Sequence, residues 1–233
     1  MLVSRPLSSL PQTGPGLIFS PVMVAAILAG CKSVTRRLTK ATDPTLPLAW
    51  DTASAGWFSG SEAIEPDLKP GSVVYIKENL WLYPDGQPQK TKHGIEPVGT
   101  VFRYTDADGS PMPGDPAGCW DDTGLSGIVE QTFRAARFMP RRCARLGLEV
   151  TDVRPVPLRG VGSGFDIDRR NSIPDDEAAK EGIYFAYPKF RNLDPEVAFS
   201  LVWAGLHSVQ HVHDGIWVWR IEFTPFRIVG GGE

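Results

Sequence analysis

Apolar positions along the chain fall into short runs whose spacing switches between helical and extended periods. Residues 1–16 (MLVSRPLSSLPQTGPG) have no such run; Pro, Ser and Gly predominate and predict a flexible N-terminal tail. Leu17-Ile18-Phe19 predicts a first strand. Ser20-Pro21 then offers a capping hydroxyl and a proline at the first helical position. Val22, Ala25, Ala26 and Ala29 recur at helical spacing, as do Met23 and Ile27, so the helix is apolar nearly all round and buried. Gly30 ends it in the left-handed conformation that other residues avoid. Ser33 to Leu38 reads as a strand, with Val34 and Leu38 inward and Ser33, Thr35 and Arg37 outward.

Residues 40–70 hold four prolines with Trp50 and Trp57 and predict an irregular segment pinned by aromatics. Lys69-Pro70-Gly71 turns into the strand Ser72–Glu78, whose near-continuous apolar character places it in the interior. Leu80-Trp81 closes that strand, and Val98 to Tyr104 predicts another. The turn-rich stretch from Thr105 to Gly127 marks an insertion spanning about 82–137. Ala144 to Val156 alternates as a long strand. Ser172-Ile173-Pro174-Asp175 has capping-box spacing and opens a helix that runs to Glu181 and stops at Gly182. Asp194-Pro195 starts a second helix with an apolar face through Leu206, and Ile216 to Phe223 is a final strand that Ile228 extends. Strand, helix, several strands, two helices and strand is an α+β order, favouring a closed or partly closed mixed β-barrel with flanking helices. The expected organisation is the tail followed by a single domain over 17–229.

Composition narrows the function classes. With 42% hydrophobic and 22% charged residues in a chain of 233, a substantial core is expected. A net charge of −3 argues against a generic polyanion binder, yet Arg134, Arg137, Arg141, Arg142 and Arg145 fall within twelve residues, and Arg36-Arg37 forms a second group. The three cysteines form no CxxC motif, and His207, His211 and His213 lack an HExxH glutamate, so no metal site or cofactor is expected. No run approaches a membrane span and no signal peptide is visible, which predicts a cytoplasmic protein. No feature sets an oligomeric state.

Several stretches together resemble the ASCH family, which has a PUA-like β-barrel fold, and its bacterial and phage branch in particular. They are Ile27-Leu28-Ala29-Gly30-x-Lys32-x-x-Thr35-x-Arg37, Lys69-Pro70-Gly71 with Lys77-Glu78 and Trp81, and Phe138-Met139-Pro140-Arg141. Leu148-Glu149-Val150-Thr151-x-Val153, Glu177-Ala178-x-x-Glu181-Gly182 and Trp217-Val218-Trp219 complete the set. The resemblance implies RNA or a modified nucleoside as partner, bound in a cleft beside the barrel. A small member of the family hydrolyses N4-acetylcytidine with a lysine, a threonine and a glutamate, which correspond by motif to Lys32, Thr35 and Glu181.

Three functions follow as expectations: an RNA- or nucleoside-binding module, an amidohydrolase of N4-acylated cytidine, and a metal-independent ribonuclease. For amide hydrolysis, Thr35 Oγ1 would attack while a neutral Lys32 takes its proton, and Glu181 would hold the exocyclic amine or act as proton shuttle. Arg36 and Arg37 would lower the Lys32 pKa. Trp81 or Tyr75 would stack on the base, Glu78 would pair with its edge, and Arg36, Arg37 and Arg141 would hold phosphate. Strict strand alternation sends Lys32 and Thr35 to opposite faces, so they converge only if Lys32 still belongs to the turn after Gly30. The plainer reading makes Lys32 and Thr35 an ordinary turn and strand, and Glu181 a surface acid.

Overall fold

The computed structural model describes residues 2–11, 16–53, 56–84, 88–91, 94–97, 100–105, 111–116, 132–139, 141–158 and 175–229, with the backbone alone over 81–134. Where a single domain over 17–229 is expected, the chain divides into two compact units. One comprises Met1–Leu28, Val73–Leu148 and Pro225–Glu233; the other comprises Ala29–Ser72 and Glu149–Thr224. The α+β class holds. The described strands form open sheets instead of a closed barrel. The largest, of six strands, follows the path Val3–Pro6, Trp217–Val229, Leu146–Pro157, Val73–Lys77 and Leu17–Ile18, with Val34–Leu38 joined to Trp217–Val229. Its end strands of four and two residues are too short to carry a closing ladder.

In the first unit, Val3–Pro6 pairs in parallel with Phe226–Val229. The expected flexible tail therefore supplies a strand, because Leu10 is buried with Tyr75, Leu80, Met139, Cys143, Ala144 and Phe226, and Leu7 packs on that cluster. Arg141 fastens the same segment by donating from Nη2 to the carbonyls of Leu7 and Leu10, at 2.9 and 2.6 Å. The helix runs over Pro21–Leu28 as its pattern predicts, and the Ser20 carbonyl accepts from the amides of Met23 and Val24. The region expected as a turn-rich insertion holds a four-stranded sheet, ordered Pro111–Pro116, Thr100–Thr105, Leu80–Pro84 and Thr132–Arg134. A separate hairpin pairs Pro88–Thr91 with Gly94–Pro97.

In the second unit, Val34–Leu38 runs antiparallel to Trp217–Val229, with Arg36 opposite Arg220 and Arg37 opposite Trp219. The stretch expected to be irregular forms a meander of Leu48–Asp51, Gly56–Ser59 and Glu62–Ile64. Trp50 and Trp57 are directly opposed in its ladder, and their rings meet edge to face with centroids 5.2 Å apart. Such cross-strand aromatic pairs help to stabilise a short sheet. Four helices follow: Asp175–Lys180, Ile183–Ala186, Pro195–Leu206 and Val209–His213. The capping-box residues 172–174 lie outside the described residues. Gly182, at φ 73°, makes the left-handed turn between the first two helices. Among the described residues, no helix is long and apolar enough to cross a membrane.

Candidate functional site

The residues singled out from the sequence separate between the two units. Lys32, Thr35, Arg36, Arg37 and Glu181 belong to the Ala29–Ser72/Glu149–Thr224 unit, and Glu78, Trp81 and Arg141 belong to the other.

Gly30 sits at φ 74° and reverses the chain after the helix. Lys32 follows two residues later and forms an isolated antiparallel bridge with Glu181. Adjacent backbone bonds fasten the crossing, with the Ser33 amide donating to the Lys180 carbonyl at 2.8 Å and the Phe223 amide to the Ser33 carbonyl at 2.9 Å. The Lys32 side chain turns inward, 3% exposed. Its Nζ donates to Val34 O at 2.7 Å, Glu181 O at 2.8 Å and Glu181 Oε2 at 2.9 Å. An ammonium has three protons, and these acceptors match them in number.

Glu181, 6% exposed, stands one residue past the end of the Asp175–Lys180 helix, where the helix dipole disfavours an acid. Lys32 offsets that from one side. From the other, Arg36 donates from Nη1 to Glu181 Oε1 at 2.5 Å and from Nη2 to Glu177 Oε2 at 3.4 Å. Arg36 also lies over the Phe199 ring at 4.9 Å, so its guanidinium has an aromatic face as well as two acids. Glu177 and Glu181, four residues apart, meet the same strand. Glu177 is held bidentately by Arg220, from Nε at 2.7 Å and Nη2 at 2.5 Å, and Arg220 Nη1 donates to Glu222 at 3.0 Å. The result is a continuous network of buried and half-buried charge, ordered Lys32, Glu181, Arg36, Glu177, Arg220 and Glu222.

The protonation equilibria follow from this packing. Burial drives the Lys32 pKa below its ordinary 10.5; Glu181 opposes that shift, and the charges of Arg37 and Arg36 add to it. The Arg220 hydrogen bonds hold the Glu177 carboxyl below its ordinary value against the effect of burial. Those same bonds to Glu177 raise the Arg220 guanidinium pKa. Burial lowers the pKa of Arg37, with Glu181 opposing. His207 is shifted down by burial first and then by the neighbouring charges of His211 and Arg37.

The expected trio of Lys32, Thr35 and Glu181 is brought together only in part. Lys32 and Arg36 both reach Glu181, as even positions of one extended segment do, whereas Thr35 has the opposite parity. Thr35 is 6% exposed, and the Lys32 Nζ bonds go to Val34 O, Glu181 O and Glu181 Oε2, not to the Thr35 hydroxyl. In the other unit, Glu78 is 3% exposed, and Arg145 takes both its oxygens, from Nε at 3.1 Å and Nη2 at 2.8 Å. A nucleobase edge would have to displace that bidentate pair. Arg141 clamps the 7–10 segment as described above, so one of its terminal nitrogens is engaged by protein carbonyls. The Trp81 side chain lies outside the described residues.

Sequence reasoning passed over Glu177, Arg220 and Phe199 as site residues. Signals for two of them were present. Glu177 stands four residues before Glu181 at helical spacing, and Arg220 interrupts the otherwise apolar run Ile216-Trp217-Val218-Trp219. No family model, curated protein or solved structure matches the chain.

Proposed function

We propose that this chain is an ASCH-type protein with a PUA-like fold that binds a modified nucleoside or RNA through the Ala29–Ser72/Glu149–Thr224 unit. The observation that carries the reading is the Lys32–Glu181 pair. Two residues 149 positions apart, each picked out by a different motif, meet at 2.9 Å with Arg36 closing the other carboxylate oxygen. A carboxylate beside an ammonium is the donor and acceptor set that a cytosine edge needs: the acid accepts from an exocyclic amine, and the cation donates to a ring or carbonyl acceptor. Because both residues are nearly inaccessible, a base engages them by taking over one of the existing bonds, such as the one from Lys32 to Val34 O. Calorimetric titration with N4-acetylcytidine, cytidine and cytidine-rich RNA tests this reading. Saturable binding that Glu181→Gln weakens at least about tenfold, equivalent to about 1.4 kcal/mol, is the expected result. Absence of saturable binding by all three ligands would sink it.

A second reading, amide hydrolysis of N4-acylated cytidine, draws on one observation. Burial lowers the Lys32 pKa and so eases release of a proton from the amine. The Thr35 hydroxyl, with no hydrogen bond to Lys32, is not activated in the way the expected mechanism requires, so binding ranks first. Chromatographic release of cytidine from N4-acetylcytidine, abolished by Lys32→Met, would reverse that order; no release at high enzyme concentration would remove hydrolysis.

A further inference from the structure

The meander that pairs Trp50 with Trp57 also walls a cavity of about 450 Å³ within the same unit, to which the polar network contributes no residue. That volume falls within the roughly 300–1,000 Å³ range of small-molecule sites. Trp50, Trp57, Ile64, Pro66 and Pro70 line it, while Gly56 adds backbone without a side chain. The two indoles are inclined at 67°, forming an aromatic corner. Trp57 is held from behind by Trp219, at 6.2 Å and 71°, so one wall of the corner is braced. Trp50 keeps 49% of its surface exposed, which leaves its ring accessible to a molecule entering the cavity. Among the described residues, the charged groups on the lining are Glu65 and Lys69, which form an exposed pair at 3.4 Å. The site is thus neutral in sum, with one acceptor and one donor at its edge.

We infer that this cavity is a binding site for a neutral, planar heteroaromatic ring, with a nucleobase as the fitting chemistry: the ring stacks on Trp50, abuts Trp57, and exchanges edge hydrogen bonds with Glu65 and Lys69. An organic cation would also suit two indole faces, but with Glu65 and Lys69 paired the lining offers it no net negative charge. An aliphatic ligand would fill the volume and gain nothing from the indole faces. A base can come from a free nucleoside or from a single strand, and the stacking chemistry is shared.

The experiment is a tryptophan-fluorescence titration of the full chain with adenosine, a short oligoadenylate, tetramethylammonium and cyclohexanol. Adenosine is expected to quench saturably. Trp50→Ala and Trp50→Leu should each weaken its affinity by about fivefold or more, the loss associated with removing one stacking face. The leucine variant keeps apolar bulk, so a matching loss in both assigns the effect to the indole and not to cavity collapse. Oligoadenylate binding at least about tenfold tighter than adenosine, with a steep salt dependence, identifies a single strand as the source of the ring; equal affinities identify the free nucleoside. The inference is overturned if adenosine and the oligomer fail to quench, if both Trp50 variants bind like the parent chain, or if tetramethylammonium or cyclohexanol binds as well as adenosine.

Discussion

Replacing Glu181 by Gln tests the buried network at its centre. The substitution keeps shape and leaves the Glu181 carbonyl, so two of the three Lys32 bonds, to Val34 O and Glu181 O, survive. It removes the carboxylate that bridges Lys32 Nζ and Arg36 Nη1. Lys32 is 3% exposed and Arg36 9%, so two cations remain largely out of water, and the glutamine amide can accept from one of them while presenting N–H groups to the other. Breaking one partner of such a buried pair costs about 3–5 kcal/mol. For a chain of this size each kcal/mol moves the thermal midpoint by about 2–4 °C, which gives a fall of about 6–20 °C. The pH dependence has a fixed sign. The folded-state pKa of Lys32 lies below the ordinary 10.5, so between those values the unfolded chain binds more protons and stability rises with pH. Without Glu181 that folded value drops further, and the deficit of the variant should shrink as pH rises toward the ordinary 10.5 and Lys32 sheds its proton. Thermal unfolding followed by far-ultraviolet circular dichroism measures both effects. A midpoint within about 2 °C of the parent, or a deficit that grows with pH, would refute the reasoning.

Other expected outcomes follow from the same geometry. Glu177→Gln should flatten the acid limb of the stability curve: Arg220 holds the Glu177 pKa below 4.5, so its contribution is present above that value and lost as pH falls through the folded pKa, which urea unfolding at several acid pH values would show. Gly147→Ala should lower the unfolding midpoint through overpacking of about 1–3 kcal/mol, because an added Cβ would run into the Phe226 ring; an unchanged midpoint would mean that this ring yields freely. Arg141→Ala removes the donor to Leu7 O and Leu10 O and should expose the first residues to limited proteolysis, seen by mass spectrometry as earlier N-terminal cleavage. In a double-mutant cycle, Lys32→Met and Glu181→Gln should couple by about 0.5–3 kcal/mol; strict additivity would contradict the pair.

What the sequence reveals about this fold is mostly local. The Pro21–Leu28 helix is legible because Ser20-Pro21 and Gly30 mark its ends and the spacing between them is helical. The strand Val73–Lys77 is legible from its near-continuous apolar run after a Pro-Gly turn, and Leu146–Pro157 from alternation. The N-terminal strand is not, since its partner Phe226–Val229 lies at the other end of the chain and a parallel pairing of that reach leaves no local trace. The Trp50–Trp57 meander is hidden because each strand has only three or four residues, too few for a period to emerge. At the site, the motif residues Lys32 and Glu181 are legible as chemistry. Their direct pairing is a tertiary fact, and so is the exclusion of Thr35 from it, although strand parity already placed Lys32 and Thr35 on opposite faces.

The 149-residue separation of Lys32 and Glu181 has a consequence for the birth of the protein. At about 5–20 residues per second of synthesis, Lys32 and Arg36 emerge roughly 7–30 seconds before their acid exists. Throughout that interval two strand positions destined for the interior carry charge without the partner that makes burial tolerable. The nascent Val34–Leu38 segment must therefore stay hydrated and wait, as it must for its ladder partner Val218–Glu222. Completion of this unit is in effect a timed event, set by the arrival of its last strand.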